Sequence, residues 1–113
     1  MEKLSISDLH IILVEPSDTQ RKIITTLLLK EKVKEIDPVS TLSEAMSAVK
    51  AHGADLIVSA MYFEDGTAID LLKFIKENDE FKTIPFMLVS SENRISKLEE
   101  FKQAGVAAIL PKP

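Results

Sequence analysis

Apolar residues in this chain fall into short continuous runs, separated by amphipathic stretches of helical period. Residues 9–14 (LHIILV) form a run of strand length that stops at Glu15-Pro16, where proline cannot donate to a ladder. Residues 18 to about 30 read as a helix with Ile23, Ile24, Leu27 and Leu28 on one face, and Ser17 with Gln20 fits a capping box. Residues 33–39 make a weaker strand with the charged flank of an edge. Thr41 with Glu44 opens a helix that runs to about His52 and ends at Gly53. Residues 56–60 (LIVSA), led in by Asp55, are the second strong strand. A helix from Thr67 to about Asn78 turns Leu71, Leu72 and Ile75 inward. Residues 85–89 (PFMLV) form a buried strand. A helix from Asn93 to about Ala104 uses Ile95, Leu98 and Phe101 and stops before Gly105, and residues 106–110 (VAAIL) form the last strand.

The predicted order is strand-helix repeated four times, then a final strand. Continuous apolar strands alternating with helices imply an α/β protein with a parallel sheet covered on both faces by right-handed crossovers. Strand order 2-1-3-4-5 is the usual doubly wound solution, with its site at the C-terminal ends of the strands. Standing at those ends are Glu15 and Pro16, then Ala60, Met61 and Tyr62, then Ser90 and Ser91, then Pro111, Lys112 and Pro113, with Asp18 and Asp65 on nearby loops.

Composition narrows the chemistry. With 113 residues the chain is expected to be one domain, residues 1–113. Cysteine is absent, which excludes disulfides, thiolate metal sites and a cysteine nucleophile and is compatible with the cytoplasm. The net charge is −4, and no basic cluster longer than Arg21-Lys22 or aromatic stacking platform suggests nucleic acid. No run approaches the roughly 18 apolar residues that span a bilayer, and the start MEKLSISDLH lacks the apolar core of a secretion signal. His10 and His52 read as surface residues without a second metal ligand, and Met46, Met61 and Met87 as core fillers.

Four segments together resemble the receiver domain of two-component response regulators, a CheY-like, flavodoxin-like family, from about His10 to Pro113. IILVEPSDTQRKII resembles its opening strand and helix, and DLIVSAMYFEDGTAIDLL the segment that carries the phosphoacceptor aspartate. IPFMLVSS resembles the strand ending in a hydroxyl residue, and AGVAAILPKP the strand ending in Lys-Pro. Carried over residue by residue, the resemblance puts the phosphoacceptor position on Ala60, the acidic pair on Glu15 and Pro16, the hydroxyl on Ser90 and the lysine on Lys112. The switch aromatic of the last strand falls on Ile109.

The resemblance therefore implies a pseudo-receiver with the constellation Glu15, Pro16, Ala60, Ser90 and Lys112 and no catalytic role. A methyl group cannot attack a phosphoryl group, and Mg²⁺, which takes oxygen ligands including one or two carboxylates, would be lost as a cofactor. Lys112 should instead pair with Glu15, and the Lys112–Pro113 bond should be cis by resemblance. Ser90 is expected to cap the following helix, Asp65-Gly66 to form a plain turn, and Asp18 to sit as a charge at a helix N-terminus. Ser59, inside a strand, should be out of a kinase's reach.

Expected partners are a histidine kinase, an output domain, a second receiver or another copy of the chain, met, as the resemblance implies, on a surface formed by Ile95, Leu98, Phe101 and Ile109 or in the groove left open beside the sheet. Two alternatives are a phosphorylatable receiver with a displaced acceptor, Asp65 or Asp18, and a module that binds a small anion on Lys112 and Ser90. Receivers carry one more helix after Lys-Pro. Its absence here should leave inward residues of the first and last strands open, as expected for part of a longer protein.

Overall fold

The computed structural model describes residues 6–113, so the reading of the first five residues lies outside it. After a short 3-10 turn (Ile6–Asp8), the elements in chain order are β1 (His10–Val14), α1 (Asp18–Lys30), β2 (Glu35–Val39), α2 (Leu42–His52), β3 (Leu56–Ser59), β4 (Tyr62–Phe63), β5 (Gly66–Thr67), α3 (Ala68–Lys76), β6 (Phe86–Ser90), α4 (Ile95–Ala104) and β7 (Ala108–Pro111). The main sheet is parallel with order β2-β1-β3-β6-β7. That is the doubly wound order expected once the small β4–β5 hairpin is set aside.

The continuous apolar runs become the central strands because both of their faces are covered. Ile12, Val14, Ile57 and Leu88 face a core shared with α2, α3 and Phe101 of α4, while Ile11, Leu13 and Ile24 build a smaller cluster under α1. The β2 edge carries Pro38, tolerated at an edge because the missing N–H can face solvent. Strand β2 begins two residues later than the pattern suggests. Lys32 takes a left-handed backbone (φ 65°), and Val33, though buried, closes that turn without pairing.

Three expectations change. The Lys112–Pro113 bond is trans. Trans is the favoured isomer by about 0.5–1 kcal/mol, and Pro113 is exposed, without the packing that would select the other. The open apolar surface does not expose β1, because α1 follows β1 directly and packs over it. The groove lies instead over Leu56 and Val58 of β3, Met87 and Val89 of β6 and Leu110 of β7, bounded by Leu27 of α1, with a volume of about 260 Å³. Accordingly Ile24 is buried, whereas Ile23 and Leu27 on the same expected face are exposed.

The hairpin after β3 is the element that sequence periodicity did not predict, because each strand has only two residues. Gly66 in it has φ 143°, and a Cβ there would press on the Asp70 carboxylate and lie 3.0 Å from Leu42. Asp70 is already committed: it closes a capping box with Thr67 at the start of α3. Gly66→Ala should therefore destabilise the fold by about 1–3 kcal/mol, read as a lower denaturation midpoint in urea.

Candidate functional site

The C-terminal ends of β1, β3, β6 and β7 bring five sequence-selected residues to one rim. Glu15 follows β1 and is 1% exposed, although it is a carboxylate. Its Oε2 accepts from the Ser17 N–H (2.9 Å), and its Oε1 makes no hydrogen bond. Lys112 Nζ lies 3.6 Å from that Oε1, which is the pairing expected from the sequence. The contact is an ion pair longer than a hydrogen bond, and the Lys112 side chain keeps 31% of its exposure. Pro16 points outward and supplies no donor or acceptor side chain.

Ala60 ends the β3 run, its N–H bonded to Val14 O, and is buried. Beside it opens a cavity of about 230 Å³ lined by Ala60, Met61, Tyr62, Ser90, Ser91, Glu92 and Lys112. Ser90 does not cap α4 as expected. That helix starts later, with Arg94 at its N-cap and no side-chain cap, so Ser90 Oγ instead accepts from the Glu92 N–H (2.9 Å) and its hydroxyl faces Met61 Sδ at 3.8 Å.

Sequence reasoning passed over the Glu92 clasp. The Glu92 carboxylate accepts from the N–H groups of Asn93 and Arg94, and its Oε1 accepts from Arg94 Nη2 at 2.6 Å. The Arg94 guanidinium, before any other cause, pushes the Glu92 carboxyl down to about 2. Arg94 is raised in return, first by Glu92, with the Tyr62 hydroxyl contributing. The Glu-Asn-Arg spacing was the available signal, but a two-residue separation inside a loop has no periodicity to mark it.

The two carboxylates considered as substitutes are engaged elsewhere. Asp18 is exposed and pairs with Arg21, whose Nη1 also donates to Glu15 O (2.9 Å). Asp65 is more than a plain turn residue. From the hairpin tip its two oxygens accept from Leu42 N–H (3.2 Å) and Ser43 N–H (3.1 Å), so it caps the first turn of α2.

The expected interaction surface divides. Ile95 is 81% exposed, but Phe101 is 2% exposed and belongs to the core, with Leu98 and Ile109 packed half-buried against the same cluster. The reason is the helical period: six residues after Ile95, Phe101 has turned to the sheet side. His10 is likewise no free surface residue; its Nε2 lies 3.2 Å from Asp37 Oδ2 across the β1–β2 pair. Ser59 is fully buried, its hydroxyl donating to Ala60 O (2.8 Å).

Comparison with known proteins gives one consistent answer. The family described as the response regulator receiver domain matches residues 11–113. The two-component response regulator ORR3 of Oryza sativa subsp. indica is 31% identical over 92% of this chain and 79% of its own length. ORR7 of Oryza sativa subsp. japonica is 30% identical, and the chain spans about half of its length (50%). Among solved structures, the chemotaxis response regulator CheY4 of Vibrio cholerae superposes with a TM-score of 0.84 over 92% of this chain and 86% of that one, at 21% identity.

Two outcomes follow from the rim. Lys112→Met strands the Glu15 carboxylate, and stability should fall by about 1–3 kcal/mol, less than for a fully buried pair because Lys112 is partly solvated. The double change Glu15→Gln with Lys112→Met should recover most of that loss in urea denaturation. The Glu92 clasp has a lowered folded-state pKa. Its contribution should be fully present above the ordinary carboxyl value of 4.5 and disappear as pH falls from there toward about 2. Measuring the stability difference between the parent and Glu92→Gln across that range checks the sign.

Proposed function

The chain belongs to the response regulator receiver family, and from that premise we propose that it is a pseudo-receiver: a signalling module that engages protein partners without accepting a phosphoryl group. The observation that carries this reading is the Ala60 methyl at the end of β3, where the family resemblance puts the nucleophilic carboxylate. No electrostatic arrangement of neighbours substitutes for a missing attacking oxygen.

Charge balance supports the same conclusion. The rim holds two carboxylates and two cations, and they are matched: Glu15 with Lys112, Glu92 with Arg94. Magnesium would have to displace the Lys112 ammonium from Glu15 to reach the one buried carboxylate, with neither Pro16 nor Ala60 offering a second ligand. That donor set does not suit an ion that demands near-octahedral oxygen coordination. Among the described residues no three His, Cys, Asp or Glu side chains are grouped closely enough to hold a metal.

A displaced acceptor is disfavoured by occupancy. Asp65 is committed to the N-terminus of α2, and Asp18 lies on the solvent side of α1 against Arg21. Phosphorylating Asp65 would remove a cap and place extra charge where two N–H groups already bind both oxygens. No helix among the described residues is long and apolar enough to cross a membrane.

Partners are accordingly read as proteins of the two-component type: a histidine kinase, an output domain, a second receiver or another copy. Incubation with phosphoramidate and Mg²⁺ should leave the intact mass unchanged over hours. A gain of one phosphoryl group, labile as an acyl phosphate, would sink the reading and direct attention to Asp65 or Asp18.

A further inference from the structure

The cavity beside Ala60 opens to solvent. At about 230 Å³ it has room for several waters, at roughly 30 Å³ each, or for one carboxymethyl or carboxyethyl side chain. Its polar lining is uneven. Glu92 contributes little net charge, because Arg94 and two backbone N–H groups hold it. Among the described residues Lys112 is the only cation lining the cavity, and its ion-pair partner, Glu15 Oε1 at 3.6 Å, is beyond hydrogen-bond length. The ammonium thus lines the cavity, partly exposed and ion-paired with Glu15 but with N–H donors not taken up by a hydrogen bond to that carboxylate.

The surroundings of the mouth differ from its floor. Tyr62 is 50% exposed on one side, and Ile95, the most exposed large apolar residue of those described, begins α4 just beyond Arg94. Ser91 is exposed and lines the cavity with Tyr62. A charged recess with an exposed aromatic in its lining, and an exposed aliphatic residue one position after Arg94, fits a protein segment better than a free ion. The acidic side chain would supply charge and hydrogen bonds, and its apolar neighbours would cover Tyr62 and Ile95.

We propose that the vacated cavity is a side-chain receptor: a partner protein inserts a glutamate or aspartate into it, accepting from Lys112 Nζ and from the Ser91 hydroxyl at the mouth, with apolar residues beside it resting on Tyr62 and Ile95. The cavity takes a carboxylate from outside in the place where Ala60 supplies none from within. This rests on the interaction-module reading and names the chemistry of its contact.

The probe is the peptide acetyl-Leu-Glu-Leu-amide, titrated to millimolar concentration into the ¹⁵N-labelled chain and followed by amide shifts, with acetyl-Leu-Gln-Leu-amide and inorganic phosphate as separate arms. Saturable shifts at Ala60, Met61, Ser91 and Lys112 are expected with the glutamate peptide. The glutamine peptide should bind about tenfold more weakly or worse, since it loses the charge-assisted bond. Ala60→Asp, which fills the recess from within, should abolish the response. Ser91→Phe, at the exposed mouth, should do the same if the aspartate variant folds poorly. Equal binding of the two peptides, shifts confined to other surfaces, or no saturation would overturn the proposal. Phosphate reproducing the shifts while the glutamate peptide does not would reassign the cavity to a free anion. The mass test with phosphoramidate is independent, so failure here leaves the inert-acceptor reading standing and its failure would be seen separately.

Discussion

A carboxylate that is 99% buried must have a counter-charge, and at the end of the central strand that requirement fixes the rest of the rim. Glu15 is held by the Ser17 N–H on one oxygen and by the Lys112 ammonium on the other. Removing the cation would leave that buried charge without its counter-ion, at a cost of about 1–3 kcal/mol. Lys112 therefore has a structural task that does not depend on phosphate. Because it arrives from β7, at the sheet edge, the same ion pair ties that edge back to β1 across two intervening strands.

The loops around this pair close on themselves. Ser90 stops the β6–α4 loop by accepting from Glu92 N–H, Glu92 gathers Arg94, and Arg94 faces Tyr62 in the β4–β5 hairpin. Asp65 at the hairpin tip then reaches the first turn of α2. The Ser90, Glu92 and Asp65 side chains satisfy backbone N–H groups that would otherwise lack partners at helix starts and turns. In a rim built this way the carboxylates serve geometry, which leaves the Lys112-lined cavity at Ala60 as the place with unused donor capacity.

How much of this could be read in advance follows from where each feature draws its signal. Strand order and helix spans came from apolar period, because burial on both sheet faces writes long hydrophobic runs into β1, β3 and β6. The Lys112–Glu15 pair was legible because a carboxylate directly after the first strand and a lysine directly after the last both stand on the C-terminal rim of the sheet. The hairpin, the Asp65 cap and the Glu92 clasp were not legible. They depend on loop paths and on contacts up to 23 residues apart, such as Leu42 with Asp65, that no local period records. Phe101 was misplaced on the surface for a related reason: an apolar residue on an amphipathic helix marks a face, and only the packed structure says which neighbour covers it. The open groove was anticipated over the first and last strands; β7 does line it through Leu110, but β3 and β6 take the place of β1, since α1 covers the strand it directly follows.

The central claim is that this rim is electrostatically complete without metal and lacks a reactive oxygen. Titrating the ¹⁵N-labelled chain with MgCl₂ to tens of millimolar, while following the amides of Glu15, Ala60, Met61 and Lys112, tests it most directly. The account predicts only the small, linear drift of rising ionic strength. A saturable shift centred on Ala60 and Glu15 at low millimolar magnesium would contradict it, because the cation would then be finding ligands that the Glu15–Lys112 pair is held to exclude.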